Sequence, residues 1–336
     1  MTVNFEYASP ETEAEAVELL AAHDGDTAVL AGGTDLPYLL QADLLKPRRV
    51  VDVKNVQSMR VIEPDETGGV VLGSLVTLEE ALASPLLAGY ASLGQAIDEV
   101  RAIQIQQNGT VGGDLCHLPN CWYFRNGYGL LGLENGQSLP ALGDNRYHAI
   151  LGNTGPAKFV SASRFAPALI AWGAEVRLLG PNSQAEEWLP LEFFYQTPRH
   201  ERQGVTVLKP GQVLTHVRLP AAGGTLSASY DVLQLNGLDW PLASAACCLH
   251  VDGGVGGVVR QARVVLGHVA PVPWVSQEAA RALVGRPVTE DTAVAAASAA
   301  VERATPLSNN AYKVQIARAA VKRAILRAAG LWTEDA

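Results

Sequence analysis

Two glycine pairs mark the part of this sequence whose residue types are best suited to chemistry. The first pair lies in residues 31–36 (AGGTDL) and the second in residues 110–114 (TVGGD). Consecutive glycines permit positive φ angles and let backbone N–H groups approach an anion without obstruction from a Cβ atom. Either pair alone is typical of a tight turn. Two pairs, each flanked by a threonine hydroxyl, together favour a diphosphate that is held from two sides.

Neither segment fits the glycine spacing of the common nucleotide-binding loops. The dinucleotide fingerprint G-x-G-x-x-G and the P-loop pattern G-x-x-x-x-G-K-[ST] are both absent from residues 31–36 and 110–114. The sequence therefore disfavours a Rossmann fold and a P-loop nucleotidase.

The elements around the glycine pairs alternate between short apolar runs and helical patterns, which predicts a mixed α and β architecture. A helix is expected over 12–23, with Thr12 and Glu15 as a capping box, and a buried strand over 27–31 leads into the first pair. A helix is also expected to begin at Thr77, with Glu80 as its capping-box partner, and a longer helical stretch, 93–105, leads into the second pair.

The remainder of the chain divides into a long loop, a linker and a second region of regular structure. Residues 116–157 are rich in Gly, Asn and Pro, and loops of this length usually have a function or are disordered. Residues 220–224 have the composition of a linker. Two β runs joined by a glycine-rich hairpin follow within 241–270. A closing helix with Val314, Ala317, Val321 and Ile325 on one face is predicted to end at Gly330.

Composition excludes several classes of protein. The 336 residues carry a formal charge of -9, which argues against non-specific binding of nucleic acid. The sequence contains no apolar run of about 18 residues, so no membrane span is predicted. The acidic start lacks a signal-peptide pattern, and four cysteines do not make a disulfide framework, so a cytoplasmic location is expected.

The glycine segments resemble those of the FAD-binding medium subunits of the xanthine dehydrogenase, or molybdenum hydroxylase, family. The resemblance extends to residues 213–220 (VLTHVRLP) and 241–251 (PLASAACCLHV), and so spans nearly the whole chain. It looks closest to the bacterial aldehyde-oxidoreductase branch, which carries an insertion after the second glycine pair. Residues 121–125 (CWYFR) and 145–150 (NRYHAI) are similar to that insertion.

The resemblance implies an α+β fold class: a vanillyl-alcohol-oxidase-type FAD-binding fold of two α/β subdomains, followed by a C-terminal α+β domain of the CO-dehydrogenase flavoprotein type. The expected divisions are 1–55, 56–222 with the insertion 116–157, and 223–336. The cofactor implied is FAD. The positions that would contact it are Val29, Leu30, Ala31, Gly32, Gly33, Thr34, Asp35, Leu36, Thr110, Gly112, Gly113, Asp114, Arg164 and Leu214.

The insertion departs from that branch in its cysteines. Relatives of this type hold a [4Fe–4S] cluster there, which needs about four thiolates. This chain has Cys116 and Cys121, and residues 122–246 contain no cysteine. We therefore predict no cluster and no metal site. The neighbouring Trp122, Tyr123 and Phe124 would cover the flavin, dock a partner subunit or simply be buried.

Two charged positions also depart from the family. Arg164 stands where the family tends to have Asp, and the family Lys that contacts the flavin would fall at Asp231 or Val232. One interpretation is an exchange in which Arg164 supplies the missing positive charge. The other is that the site no longer needs standard flavin chemistry.

The function implied is an electron-transfer flavoprotein subunit. Partner subunits with molybdopterin and [2Fe–2S] centres would supply electrons, and a small-molecule acceptor would receive them. No nucleic acid or membrane partner is expected, and the sequence names no catalytic residue. Two alternatives stay open: a stand-alone flavoenzyme that acts on a small molecule, and a non-catalytic scaffold that has lost FAD.

Overall fold

The computed structural model describes residues 4–235, 238–254 and 256–332. Residues 1–3 of the first predicted domain lie outside these ranges, as do residues 236–237, 255 and 333–336 of the third. The strands are β1 (Glu6–Ala8), β2 (Thr27–Leu30), β3 (Arg49–Asp52), β4 (Ile62–Pro64), β5 (Val70–Gly73), β6 (Leu133–Glu134), β7 (Gln137–Ser138), β8 (Glu175–Leu179), β9 (Glu186–Pro190), β10 (Val213–Leu219), β11 (Leu226–Val232), β12 (Ala243–Val251), β13 (Val259–Gly267) and β14 (Trp274–Val275).

Helices connect and cover these strands. They are α1 (Glu13–Ala21), α2 (Leu36–Gln41), α3 (Leu78–Ala83), α4 (Ala91–Asp98), α5 (Ile103–Asn108), α6 (Val111–Leu115), α7 (Trp122–Arg125), α8 (Leu139–Leu142), α9 (Ala166–Trp172), α10 (Gln277–Leu283), α11 (Glu290–Ala300) and α12 (Tyr312–Ala328). No helix in the described ranges is long and apolar enough to cross a membrane.

A small parallel sheet, in the order β1-β3-β2, positions the first glycine segment. Helix α1 covers it with Val17 and Leu20, which are buried at helical spacing. Thr12 caps α1 by accepting the N–H of Glu15, as predicted. The reciprocal half of the capping box is wrong, because the Glu15 carboxylate accepts the N–H of Glu11 instead.

A second sheet, in the order β4-β5-β10-β8-β9, is antiparallel and positions the second glycine segment. Strand β10 lies at its centre, although it comes more than a hundred residues after β5 in the chain. Helix α9 packs on β12 and β13, its side chains share a hydrophobic core with β5, β8 and β10, and every residue of α9 is buried. Its position joins the core of the FAD-binding region to the strands that follow.

The predicted helical stretch over 93–105 is two helices rather than one. Helix α4 ends at Asp98 and α5 begins at Ile103. The interruption places Val100 in the core, where it is 5% exposed, and Gln106 satisfies its carbonyl with a hydrogen bond of 2.7 Å. A continuous helix would not turn toward the second glycine segment at this point.

The C-terminal region is an antiparallel sheet, β11-β12-β13-β14, covered by α10, α11 and α12. The β12–β13 hairpin confirms the predicted pair of β runs. Helix α12 buries Ala317, Val321 and Ile325 on the predicted face, and Gly330 follows it at φ +67°. The boundaries expected for the three domains stay predictions.

Candidate functional site

The two glycine segments meet in the folded chain. Gly32 packs so closely on the chain just before the second segment that an added Cβ would stand 1.8 Å from the carbonyl oxygen of Asn108. The segments then form opposite walls of a cavity of about 330 Å³. Its lining includes these predicted positions: Val29, Ala31, Gly32, Gly33, Thr34, Asp35, Leu36, Thr110, Gly112, Gly113 and Leu214.

The first segment presents free hydrogen-bond donors to this cavity. Gly33 adopts φ +70°, a conformation that glycine takes without strain. The backbone N–H groups of Gly33, Thr34 and Asp35 donate to no other group in the described part of the chain. Converging free N–H groups at a turn form a concavity that suits an anion. This wall therefore fits a diphosphate.

The second segment differs from the expected turn, because it is the short helix α6. Thr110 caps α6 by accepting the N–H of Gly113 at 3.1 Å, and Gly112 donates its N–H to the Ser74 carbonyl at 2.8 Å. These N–H groups are therefore not free for a ligand. The glycines serve close packing instead, since a Cβ on Gly112 would stand 2.6 Å from the Ser74 Cβ. The Thr110 hydroxyl proton remains able to donate.

A second cavity, of about 520 Å³, adjoins the first. The two share Thr34, Asp35, Thr110, Gly113 and His117 as wall residues. Asp114 and Arg164 line only the second cavity, and Leu30 lines neither. Together the two cavities form an elongated cleft, which is the shape that a dinucleotide requires.

Asp35 would repel a diphosphate if it stood alone, but the insertion neutralises it. Arg125, at the end of α7, donates hydrogen bonds to both carboxylate oxygens of Asp35, at 2.6 and 3.1 Å. His117 Nε2 lies 3.7 Å from the same carboxylate. Bidentate arginine–carboxylate pairs are strong and geometrically specific. The sequence-based interpretation missed Arg125, since a pairing across 90 residues leaves no local signal.

Asp114 holds the start of α9. Its buried carboxylate accepts the Ser163 hydroxyl and the N–H groups of Arg164 and Phe165, both at 3.1 Å. Burial raises the pKa of Asp114. The carboxylate thus links α6 to α9, and its three protein donors leave it little capacity for a ligand.

Arg164 is not a free cation at the cleft. Its Nη2 lies 3.1 Å from Asp231 Oδ2 and donates to the Glu99 carbonyl, also at 3.1 Å. Burial raises the pKa of Asp231 to about 6 despite the opposing effect of Arg164. Arg164 therefore contacts Asp231, one of the two residues expected at the place of the family Lys.

The insertion cysteines are held as neutral thiols. Burial raises the pKa of Cys116 to about 12 and also raises that of Cys121, whose Sγ lies 3.2 Å from His148 Nε2. Within the described ranges no group of three or more His, Cys, Asp or Glu side chains is arranged to hold a metal ion. The absence of a cluster stays a prediction.

Comparison with known proteins identifies the family. The family model described as FAD binding domain in molybdopterin dehydrogenase matches residues 3–222. The model described as CO dehydrogenase flavoprotein C-terminal domain matches residues 228–328. The chain is 27% identical to the carbon monoxide dehydrogenase medium chain of Hydrogenophaga pseudoflava over 326 residues, 96% of each chain. It is also 27% identical to the aldehyde oxidoreductase FAD-binding subunit PaoB of Escherichia coli, covering 94% of this chain and 95% of PaoB.

A solved structure agrees with this assignment. Carbon monoxide dehydrogenase from Hydrogenophaga pseudoflava superposes with a TM-score of 0.74 at 26% identity, over 98% of both chains. The predicted fold class, a vanillyl-alcohol-oxidase-type FAD-binding fold with a C-terminal α+β domain, is confirmed. The chain belongs to the FAD-binding domain family of molybdopterin dehydrogenases. It binds FAD and is a component of an oxidoreductase.

Proposed function

We propose that this chain takes electrons from molybdopterin-containing and [2Fe–2S] partner subunits and passes them to a small-molecule acceptor. The supporting observation is that nearly the whole chain aligns with a carbon monoxide dehydrogenase medium chain and with PaoB, an FAD-binding subunit. A flavin suits this position because it accepts single electrons and donates pairs. A cytoplasmic location belongs to the same proposal.

Both glycine segments supply residues of the cleft that would hold the diphosphate of FAD. The free N–H groups of Gly33, Thr34 and Asp35 would hold the diphosphate, with the Thr110 hydroxyl opposite them. Gly113 leaves the wall open where a side chain would intrude, since its added Cβ would already lie 3.0 Å from Thr110 Oγ1. Arg125 holds the Asp35 carboxylate away from the anion.

The two other functions that the sequence left open are not favoured. A scaffold without FAD does not fit a turn that keeps three backbone donors free and places them in a cleft. A stand-alone flavoenzyme has no supporting observation, and relatives that align along the full chain include subunits of larger enzymes.

Co-purification and flavin content test the proposal together. The chain is expressed with its genomic neighbours and purified through a tag on this chain alone. We expect stoichiometric FAD, with absorbance near 450 nm, together with a large subunit that carries molybdenum and a small subunit that carries iron. FAD-loaded protein that emerges without partners and oxidises a small molecule directly would overturn the electron-transfer role.

A further inference from the structure

His117 lies where the two cavities of the flavin cleft meet. The residues that line both cavities are Thr34, Asp35, Thr110, Gly113 and His117. A dinucleotide that spans the cleft would place its diphosphate at this junction, because the diphosphate joins its two halves. The first four residues belong to the proposed diphosphate site. His117 is the fifth, and its position gives it access to the same anion.

One hydrogen bond orients the imidazole of His117. Its Nδ1 lies 2.7 Å from the Leu118 carbonyl oxygen, and a carbonyl only accepts, so Nδ1 carries the ring proton. The other nitrogen, Nε2, makes no hydrogen bond within the described part of the chain and lies 3.7 Å from Asp35 Oδ2. The side chain is 15% exposed, and Trp240 contacts the ring edge to face at 5.1 Å between centroids. Nε2 is therefore a basic nitrogen that a ligand in the cleft is able to reach.

The permanent cations of the cleft already have partners. Within the described ranges no lysine lines either cavity, and each arginine that does so is paired with a carboxylate: Arg101 with Glu99, Arg125 with Asp35 and Arg164 with Asp231. Two further titratable groups, Asp114 and His268, interact electrostatically with His117. Burial raises the pKa of Asp114 and lowers that of His268 to about 3, so neither supplies a positive charge near pH 7. An anion at the junction therefore needs another counter-charge, because an unpaired charge is costly to bury.

We propose that His117, given the diphosphate placement proposed above, takes up a proton from solvent at Nε2 when FAD binds. The resulting imidazolium would donate its Nε2–H to a diphosphate oxygen and offset part of the anion's charge. Ordinary histidine has a pKa of about 6.5, so a nearby anion raises the fraction of imidazole that is protonated at neutral pH. The Asp35 carboxylate, 3.7 Å from Nε2, favours the same protonated state. His117 is thus a binding residue whose charge depends on the ligand.

Isothermal titration calorimetry of the full chain, freed of FAD and titrated with FAD, measures the proton directly. The titration is run at pH 7.5 in HEPES and in Tris, which absorb different heats when they give up a proton. The difference between the two apparent enthalpies gives the number of protons taken up per FAD. We expect at least half a proton, and FAD that binds without proton uptake overturns the proposal. A failure of the electron-transfer role would instead appear as FAD-loaded chain without partner subunits, which this titration does not measure.

Variants locate the proton. His117→Gln keeps a polar side chain that does not titrate, so we expect proton uptake to fall close to zero. The affinity of the native chain for FAD should fall by up to tenfold per pH unit between pH 6.5 and 8.5, whereas that of His117→Gln should stay nearly constant. His250→Gln, at an exposed position outside both cavities, is the matched control and should behave as the native chain does.

Thermal melting checks that each variant is folded, and His117→Asn takes the place of His117→Gln if the latter does not fold. Proton uptake that persists undiminished in the folded His117 variant would assign the proton to another group, such as Asp114, and overturn the proposal.

Discussion

Arg164 and Asp231 form a buried ion pair, with 3.1 Å between Nη2 and Oδ2. The backbone N–H of Arg164 donates to the carboxylate of Asp114 in helix α6, and Asp231 lies near the end of β11. The resemblance predicts a charge departure at Arg164 and another at Asp231 or Val232, and Asp231 is the one that Arg164 contacts. An exchange of an acid and a base between these places stays a prediction, and the ion pair is the contact that such an exchange requires.

This pair leads to opposite effects of two substitutions on the flavin midpoint potential. Asp231→Asn removes a negative charge and should raise the potential, because the reduced flavin is favoured by nearby positive charge. Arg164→Ala should lower it by less, since the unpaired, buried Asp231 then takes up a proton and offsets the lost cation. Shifts of tens of millivolts are readable by redox titration, at about 30 mV per 1.4 kcal/mol for two electrons. Unchanged potentials in both variants would show that the pair lies too far from the flavin to act on it.

The contact between Gly32 and Asn108 predicts a large effect of one methyl group. Gly32→Ala would place a Cβ 1.8 Å from the Asn108 carbonyl oxygen, so the glycine segments must separate. We expect loss of FAD retention, measured as flavin absorbance per chain after gel filtration. Gly94→Ala is the matched control, because its Cβ meets nothing within 4 Å and lies inside α4. That variant should keep FAD and gain about 0.5–1 kcal/mol in free energy of unfolding. Full flavin in Gly32→Ala would contradict the role of this contact.

The pairing of Asp35 with Arg125 predicts a rescue. Arg125→Gln leaves the Asp35 carboxylate beside the expected diphosphate without its partner, so we expect FAD affinity to fall at least tenfold. Adding Asp35→Asn removes the repulsion and should restore most of the affinity. Fluorescence titration of apoprotein with FAD gives all three dissociation constants. A double variant as weak as Arg125→Gln would mean that Arg125 acts by positioning α7 rather than by charge.

Iron analysis tests the prediction that the insertion holds no cluster. Cys116 and Cys121 are the cysteines of that region, while Cys247 and Cys248 lie buried in β12. Anaerobic reconstitution with iron and sulfide should leave negligible iron and no broad absorbance near 400 nm. About four irons per chain would contradict this, and would require ligands other than cysteine or a cluster shared between two chains.

The sequence predicted those features that depend on neighbouring residues. The glycine segments, the Thr77–Glu80 capping box of α3 and the buried face of α12 all follow from local spacing, and the structure has each of them. Most residues expected to contact FAD line one cleft. They were predictable because a family motif transfers position by position.

Features that depend on distant contacts were not predictable. Residues 110–114 have the glycines of a turn, but they form helix α6. The Gly112 N–H donates to the Ser74 carbonyl, and the Gly113 N–H donates to the Thr110 hydroxyl. The ion pair of Arg125 with Asp35 spans 90 residues, and that of Arg164 with Asp231 spans 67. No pattern within either segment reveals such a partner.

The burial of His148 predicts how stability depends on pH. Unfolded histidine has a pKa of about 6.5, whereas burial lowers the pKa of His148 to about 4 in the folded chain. The unfolded state therefore binds more protons between these values, and the free energy of unfolding should fall as pH decreases from 6.5 toward 4. His148→Phe removes this contribution. The free energy of unfolding of the variant should therefore rise relative to that of the native protein by about 2–3 kcal/mol as pH falls across that window. Urea unfolding at half-unit pH steps measures the difference, with His250→Phe as the exposed control. Parallel pH curves for native protein and His148→Phe would show that folding does not lower the pKa of His148.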